Sequence, residues 1–163
     1  MNLETLQQFC AGEGDIRYYL RAPFNQGAHT YATNGHIAIR VPRMEGFEER
    51  EEQKIKMLFA TAPKLQLVSL PEIPPVTMKV CSWCDGSGKY HVDRPYKCDV
   101  CRGSGQEEDV ISVPIGAAVV ANKCAAMIAS LPNAKIGIPQ DATSPITFTF
   151  DGGEGLVMGM RRG

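Results

Sequence analysis

Leu3, Leu6, Phe9 and Cys10 recur at i, i+3, i+6 and i+7, which predicts a short helix over residues 2–11, ended by Gly12 and Gly14. Asp15–Phe24 reads as a strand and Asn25-Gln26-Gly27 as the turn after it. His29–Thr33 and His36–Val41 read as the arms of a hairpin about Asn34-Gly35, because both turn residues tolerate positive φ. Charge is dense from Glu45 to Lys56, as on the solvated face of a helix continuing through Ile55, Leu58, Phe59 and Ala62. A strand is expected at Leu65–Leu70, and Pro71, Pro74 and Pro75 stiffen the chain beyond it. After Gly105 the pattern predicts a strand at Val110–Val113. A helix over Ile115–Leu131 follows, carrying Val119, Val120, Lys123, Ala126 and Met127 and closed by Pro132. Strands are expected at Ala134–Ile138, Ile146–Phe150 and Leu156–Met160, the last two joined through Asp151-Gly152-Gly153-Glu154-Gly155.

This order implies an α+β fold of two helix-plus-antiparallel-strand halves flanking a cysteine-rich insert. The expected divisions are 1–77 for the first half, 78–106 for the insert and 107–163 for the second half. The length suits one domain carrying such an insertion.

Composition narrows the class without naming a function. The chain is 44% hydrophobic and 21% charged, as in ordinary globular proteins. No apolar run approaches the ~20 residues of a membrane span. Met1–Gln8 has no basic stretch leading into an apolar one, so secretion is not expected and a cytoplasmic location is. In a reducing compartment, clustered cysteines hold metal more often than they form disulfides.

Two segments match: Cys81-Ser-Trp-Cys84-Asp-Gly86-Ser-Gly88 and Cys98-Asp-Val-Cys101-Arg-Gly103-Ser-Gly105. Each is C-x-x-C-x-G-x-G, with thirteen residues between Cys84 and Cys98. Two thiolates two residues apart grip one side of a tetrahedral ion, and a second pair closes the other. The glycines let backbone N–H groups turn in toward the sulfurs. Cys81, Cys84, Cys98 and Cys101 are therefore expected to hold one structural zinc ion, with no open position for catalysis. His91 is expected to be an exposed loop residue, not a ligand. The formal net charge of -1 becomes -3 once four thiolates and one Zn²⁺ are counted, so no basic footprint points to nucleic acid. Trp83, Tyr90 and Tyr96 are expected to pack the small module, with contact to a protein partner as their next use and base stacking the last.

The doubled motif resembles the zinc region of DnaJ co-chaperones over Cys81–Gly105. Those proteins carry four such motifs and two sites; two motifs imply one site. No His-Pro-Asp of a J-domain occurs, so co-chaperone activity is not implied. Elsewhere, Tyr31-Ala32-Thr33-Asn34-Gly35-His36-Ile37-Ala38 resembles the Ala-Thr-Asp-Gly-His segment of bacterial DNA polymerase sliding clamps. Gly155-Leu156-Val157-Met158-Gly159-Met160-Arg161 resembles the clamp C-terminus. The resemblance implies a clamp-like domain of two α/β units. It makes Val157, Met158, Met160 and Arg161 candidates for the pocket that receives polymerase peptides.

No G-x-S-x-G, H-E-x-x-H or phosphate-loop lysine motif occurs, and no enzymatic activity is expected. Cys10 and Cys124 read as small buried hydrophobes, and His29 and His36 as strand-surface residues. The resulting expectation is a non-enzymatic zinc adaptor acting on a protein partner in DNA replication or repair, of a kind a phage would encode. The alternatives are a ring-forming DNA-binding clamp and a DnaJ-type protein-binding module. Oligomerisation and DNA contact are open to either clamp reading.

Overall fold

The computed structural model describes residues 1–91 and 94–161; Val92, Asp93, Arg162 and Gly163 lie outside the described residues. The elements in order are α1 (Leu3–Gln8), β1 (Phe24–Gln26), β2 (His29–Thr33), β3 (Ile37–Pro42), α2 (Gln53–Thr61) and β4 (Leu67–Ser69). Then come β5 (Met78–Val80), β6 (Lys89–His91), β7 (Arg94–Lys97) and β8 (Gln106–Glu108). The chain ends with β9 (Ser112–Ile115), β10 (Ala118–Ala121), α3 (Asn122–Ala129), β11 (Lys135–Gly137), β12 (Ile146–Phe150) and β13 (Gly153–Val157). The fold is mixed α and β, with antiparallel pairing between the strands and three α-helices among the described residues. None of those helices is long and apolar enough to cross a membrane.

The chain forms two compact units, one from residues 1–73 and 112 onward, the other from Pro74 to Ile111. The second is wider than the expected 78–106. The Asp109 N–H donates to the Thr77 carbonyl at 2.8 Å and Lys79 pairs with Asp109 at 3.2 Å, which carries the β5–β8 ribbon past both limits.

In the first unit, seven strands form one sheet in the order β1-β2-β3-β13-β12-β11-β4. Strand alternation sorts its faces. Ala32, Ile37, Ile39, Ile136, Ile146, Phe148 and Val157 point to one side, where they bury with Leu6 and Phe9 of the α1 segment, Ala125 and Ile128 of α3, and the β9–β10 hairpin. Each such large side chain contributes roughly 1.5–3 kcal/mol by leaving water. The other face carries Tyr31, stacked on Phe24 with ring centroids 5.6 Å apart. There Ile55 and Phe59 of α2 cover it, and Arg40 lies 4.5 Å over the Phe59 ring.

Several expectations shift. The strand expected over Asp15–Phe24 is instead a loop with a single 3-10 turn at Tyr18–Leu20, pinned by Arg17 bonding Asp15 and the Asn34 carbonyl. The strand begins at Phe24 and takes in Asn25 and Gln26, read as part of the turn, because the first core pairs are Phe24↔Tyr31 and Asn25↔Thr30; the turn itself falls at Gly27-Ala28. The first arm ends at Thr33 as expected, and the loop is Asn34-Gly35-His36, one residue longer than expected, in which the Asn34 side chain accepts the N–H groups of His36 and Ile37 at 2.9 and 3.1 Å. The charged run 45–52 is not helical, and α2 starts at Gln53.

The largest correction concerns Ile115–Leu131. Its first half is the β9–β10 hairpin, in which Val113, Ile115, Ala118 and Val120 are buried. Gly116 sits at φ +55 against Pro139, a turn that a side chain would obstruct. The β-branched Val119-Val120 pair prefers such a strand. Helix α3 is left with Asn122–Ala129. The last strand is Gly153–Val157, not Leu156–Met160, because the chain turns at Asp151-Gly152.

Cys10 lies beyond the end of α1, 8% exposed, with its thiol donating to the Leu6 carbonyl at 3.7 Å. Burial pushes its pKa up to about 11, against a smaller opposing effect of the Thr33 backbone. Because the thiolate is the nucleophile, Cys10 is expected to resist iodoacetamide at pH 8 in the native protein and to react readily in denaturant. Equal rates in the two states would contradict this burial. Cys124 is only partly buried.

Candidate functional site

The second unit places Cys81, Cys84, Cys98 and Cys101 together, with all four sulfurs within 4.8 Å of one another. Strand β5 delivers Cys81, and β8 leaves from Gly105, directly after the second motif. Hairpin β6–β7 links the motifs and pairs Lys89 with Lys97. His91 ends strand β6, so it is not the loop residue expected, and the cluster that could hold a metal ion is made of the four cysteines among the described residues.

The two motifs fold alike. After each second cysteine the backbone enters the left-handed region, at Asp85 and Gly86 (φ 47 and 82) and at Arg102 and Gly103 (φ 54 and 88). The Ser87 and Ser104 N–H groups donate back to the Cys84 and Cys101 carbonyls at 2.9 and 3.0 Å. One residue later, the Gly88 N–H points at Cys84 Sγ (3.2 Å) and the Gly105 N–H at Cys101 Sγ (3.3 Å). The motifs also lock each other: the Cys81 N–H donates to the Gly105 carbonyl and the Cys98 N–H to the Gly88 carbonyl, both at 2.9 Å. A Cβ on Gly88 would collide with the Gly103 carbonyl, and one on Gly105 with the Gly86 carbonyl. The glycines are needed for this close approach as well as for the turn.

The sulfur spacing suits an ion. Cys81 Sγ lies 3.9 Å from Cys98 Sγ, and Cys84 Sγ 3.7 Å from Cys101 Sγ. A tetrahedron with metal–sulfur bonds of about 2.3 Å has edges of about 3.8 Å. Burial pushes Cys81 up to about 12, in spite of N–H donors from Trp83 and Cys84. Burial also acts against the Cys101 thiolate, but the Gly105 and Gly103 N–H groups, with Cys98 and Cys84, outweigh it and hold that thiol at about 6. A buried cluster of this kind resists four negative charges unless a cation balances them.

Trp83 and Tyr96 are 66% and 64% exposed, so both rings present most of their surface to solvent. Tyr90 meets Trp83 edge-on, ring centroids 6.4 Å apart.

The first unit holds a separate cleft of about 200 Å³, mainly apolar, between the Gly35-His36 loop, β13 and α2. Thr33, Ile37, Leu156 and Met158 line its sheet side, and Ile55 and Leu58 its helix side. Of the four chain-end candidates, Met158 alone reaches it. Val157 is fully buried in the opposite face of the sheet and cannot touch a partner, because its register against Ile37 turns it into the core. Met160 is half-buried, its N–H bonded to the Val119 carbonyl at 2.8 Å, and Arg161 is exposed. Sequence reasoning left out Leu58 and Ile55, whose spacing indicates a helix face but not what that face borders.

Comparison of the chain with protein-family models, with curated proteins and with solved structures returns no significant match.

Proposed function

We propose that the protein is a non-enzymatic adaptor: a sliding-clamp-like domain that receives a peptide from a DNA replication or repair protein, joined to a module held by one structural zinc ion. The observation that carries this reading is a convergence. The two stretches that resemble the clamp, Tyr31–Ala38 and Gly155–Arg161, are far apart in the chain. They meet as neighbouring strands through Ala38↔Leu156, and the Met158 N–H donates to the His36 carbonyl at 2.9 Å. Both stretches then line the same cleft. The order of elements supports the same reading. Helix α1 leads to the meander β1-β2-β3 and α3 to the meander β11-β12-β13, and the two meanders meet at β3 and β13. For the metal, four cysteine sulfurs at tetrahedral spacing with N–H donors behind them favour a closed thiolate site, which zinc suits.

The test is a fluorescence-anisotropy titration with a labelled peptide from a bacterial replicative polymerase. The parent protein is expected to bind it. Met158→Glu, at a 39% exposed position, should weaken binding by about tenfold, the loss expected for a contact worth ~1.4 kcal/mol. An unbound parent, or an unchanged variant, removes the peptide from the cleft. Helices α1 and α3 offer Lys123 as their cation, against Glu4. Duplex DNA in the same titration is therefore expected to bind weakly at physiological salt. Tight, salt-sensitive retention would favour the ring-forming clamp, and suppression of aggregation of an unfolded client the DnaJ-type module.

A further inference from the structure

The four sulfurs of the metal centre are not equivalent. Cys81 and Cys98, which open the two motifs, have no exposed surface; Cys84 and Cys101, which close them, keep 8% and 7%. Cys84 and Cys101 also approach to 3.7 Å, closer than the buried cross-motif pair, Cys81 and Cys98, at 3.9 Å. So the two cysteines nearest to solvent come one from each motif, seventeen positions apart, with their sulfurs already in contact. Ordinary expectation for C-x-x-C would pair cysteines within a motif.

We propose that the centre is a peroxide-responsive switch, in which Cys84 and Cys101 form a disulfide that replaces the metal as the link between the motifs. The inference rests on the zinc reading above. The chemistry is a two-electron oxidation by hydrogen peroxide. One thiolate attacks the peroxide, breaking the O–O bond to give a sulfenic acid and hydroxide. The second thiolate attacks that sulfur, forming the S–S bond and expelling a second hydroxide. Two protons from solvent turn both hydroxides to water. The two sulfurs together lose two electrons and the peroxide gains them. With two of its four ligands oxidised, Zn²⁺ leaves as the hydrated ion, and Cys81 and Cys98 take up protons.

Geometry favours this pairing. A disulfide of about 2.05 Å requires the two sulfurs to close by about 1.7 Å, which departure of the ion between them permits. The backbone bonds that lock the motifs, Cys81 to Gly105 and Cys98 to Gly88, run through amide groups and survive the change. The module exchanges one staple for another and keeps its two halves together.

The test uses purified full-length protein. Its metal is measured first; hydrogen peroxide is then added in steps, release is followed with a chromogenic zinc chelator, and disulfides are mapped by mass spectrometry after digestion without reductant. The expected result is loss of the whole zinc equivalent for one peroxide consumed. The peptide linking Cys84 to Cys101 should be the predominant product, and dithiothreitol with added zinc should reverse the change. Predominant Cys81–Cys84 or Cys98–Cys101 links overturn the proposal, as does retention of zinc. A chain purified without metal would fail the zinc reading alone, because the disulfide map still tests the pairing.

Discussion

Cys84→Ser is expected to empty the metal centre and unfold residues 74–111 while leaving the seven-stranded sheet intact. That unit has 38 residues, Pro74 to Ile111. Chains below about 40 residues seldom fold without a metal or disulfides. More telling is what the unit buries. Among its described residues, the buried side chains are the four cysteines, while Val76, Met78, Val80 and Trp83 are all exposed. Among the described residues no apolar core stands behind the sulfurs, so on the zinc reading metal binding supplies most of the folding energy, on the order of 10–16 kcal/mol for structural zinc sites. One lost thiolate also leaves Cys101 without the sulfur 3.7 Å away. The measurement is zinc content together with amide hydrogen exchange. Metal should fall from one ion per chain to none, and the Cys81 and Cys98 amides, now bonded across the motifs, should lose protection. Amides of β3, β12 and β13 should keep theirs. Protection lost throughout would mean that the units are not independent. The complementary deletion, Met78–Gln106 replaced by a flexible linker, is expected to leave a folded sheet for the same reason.

The second large effect is expected at Phe148, at the centre of β12. Its side chain has no exposed surface, and its ring lies over Gly155 of β13 and 6.3 Å from the Phe150 ring. Truncation removes a large buried surface and leaves a void that three neighbouring strands cannot close by a side-chain movement alone. Phe148→Ala is therefore expected to cost about 3–5 kcal/mol, a large part of the 5–15 kcal/mol typical of a whole domain. In urea the midpoint for sheet unfolding should fall sharply, while the zinc content stays at one per chain. A shift worth less than about 1 kcal/mol would place the ring outside the core. Gly155 completes the test. A Cβ there would overlap the Phe148 ring and sit 2.6 Å from the Ala38 carbonyl, so Gly155→Ala alone should also destabilise. In the double variant the ring clash is gone, so the two costs should sum to more than the observed loss. Strict additivity would show that the residues do not touch.

The four-cysteine cluster was the most legible part of the chain, and the reason is local. A doubled C-x-x-C-x-G-x-G carries its ligands, turns and sulfur-facing N–H groups within eight residues each, and nothing distant is needed to interpret it. Strand β12 was equally legible: Ile146, Phe148 and Phe150 alternate with threonines on a sheet with two distinct faces. Where the same apolar residues suit two periods, the sequence alone did not decide. Val119, Val120, Ala126 and Met127 satisfy a helix over Ile115–Leu131, yet pairing of Val120 with Val113 about the Gly116 turn makes half of it a hairpin. That pairing wins through burial against the sheet, a tertiary term no window of residues contains. The chain end shows the same limit. The resemblance to the clamp C-terminus groups Val157, Met158, Met160 and Arg161 as one motif, but register against β3 sends Val157 into the core and leaves Met158 at the cleft. The cleft itself has no sequence signature, because its walls come from a loop, a strand and a helix that only the folded sheet brings together. Residue chemistry determined what can bind the metal; the register of one antiparallel pair, β3 with β13, decided which apolar side chains are available to a partner, since a shift of one residue moves every side chain to the other face.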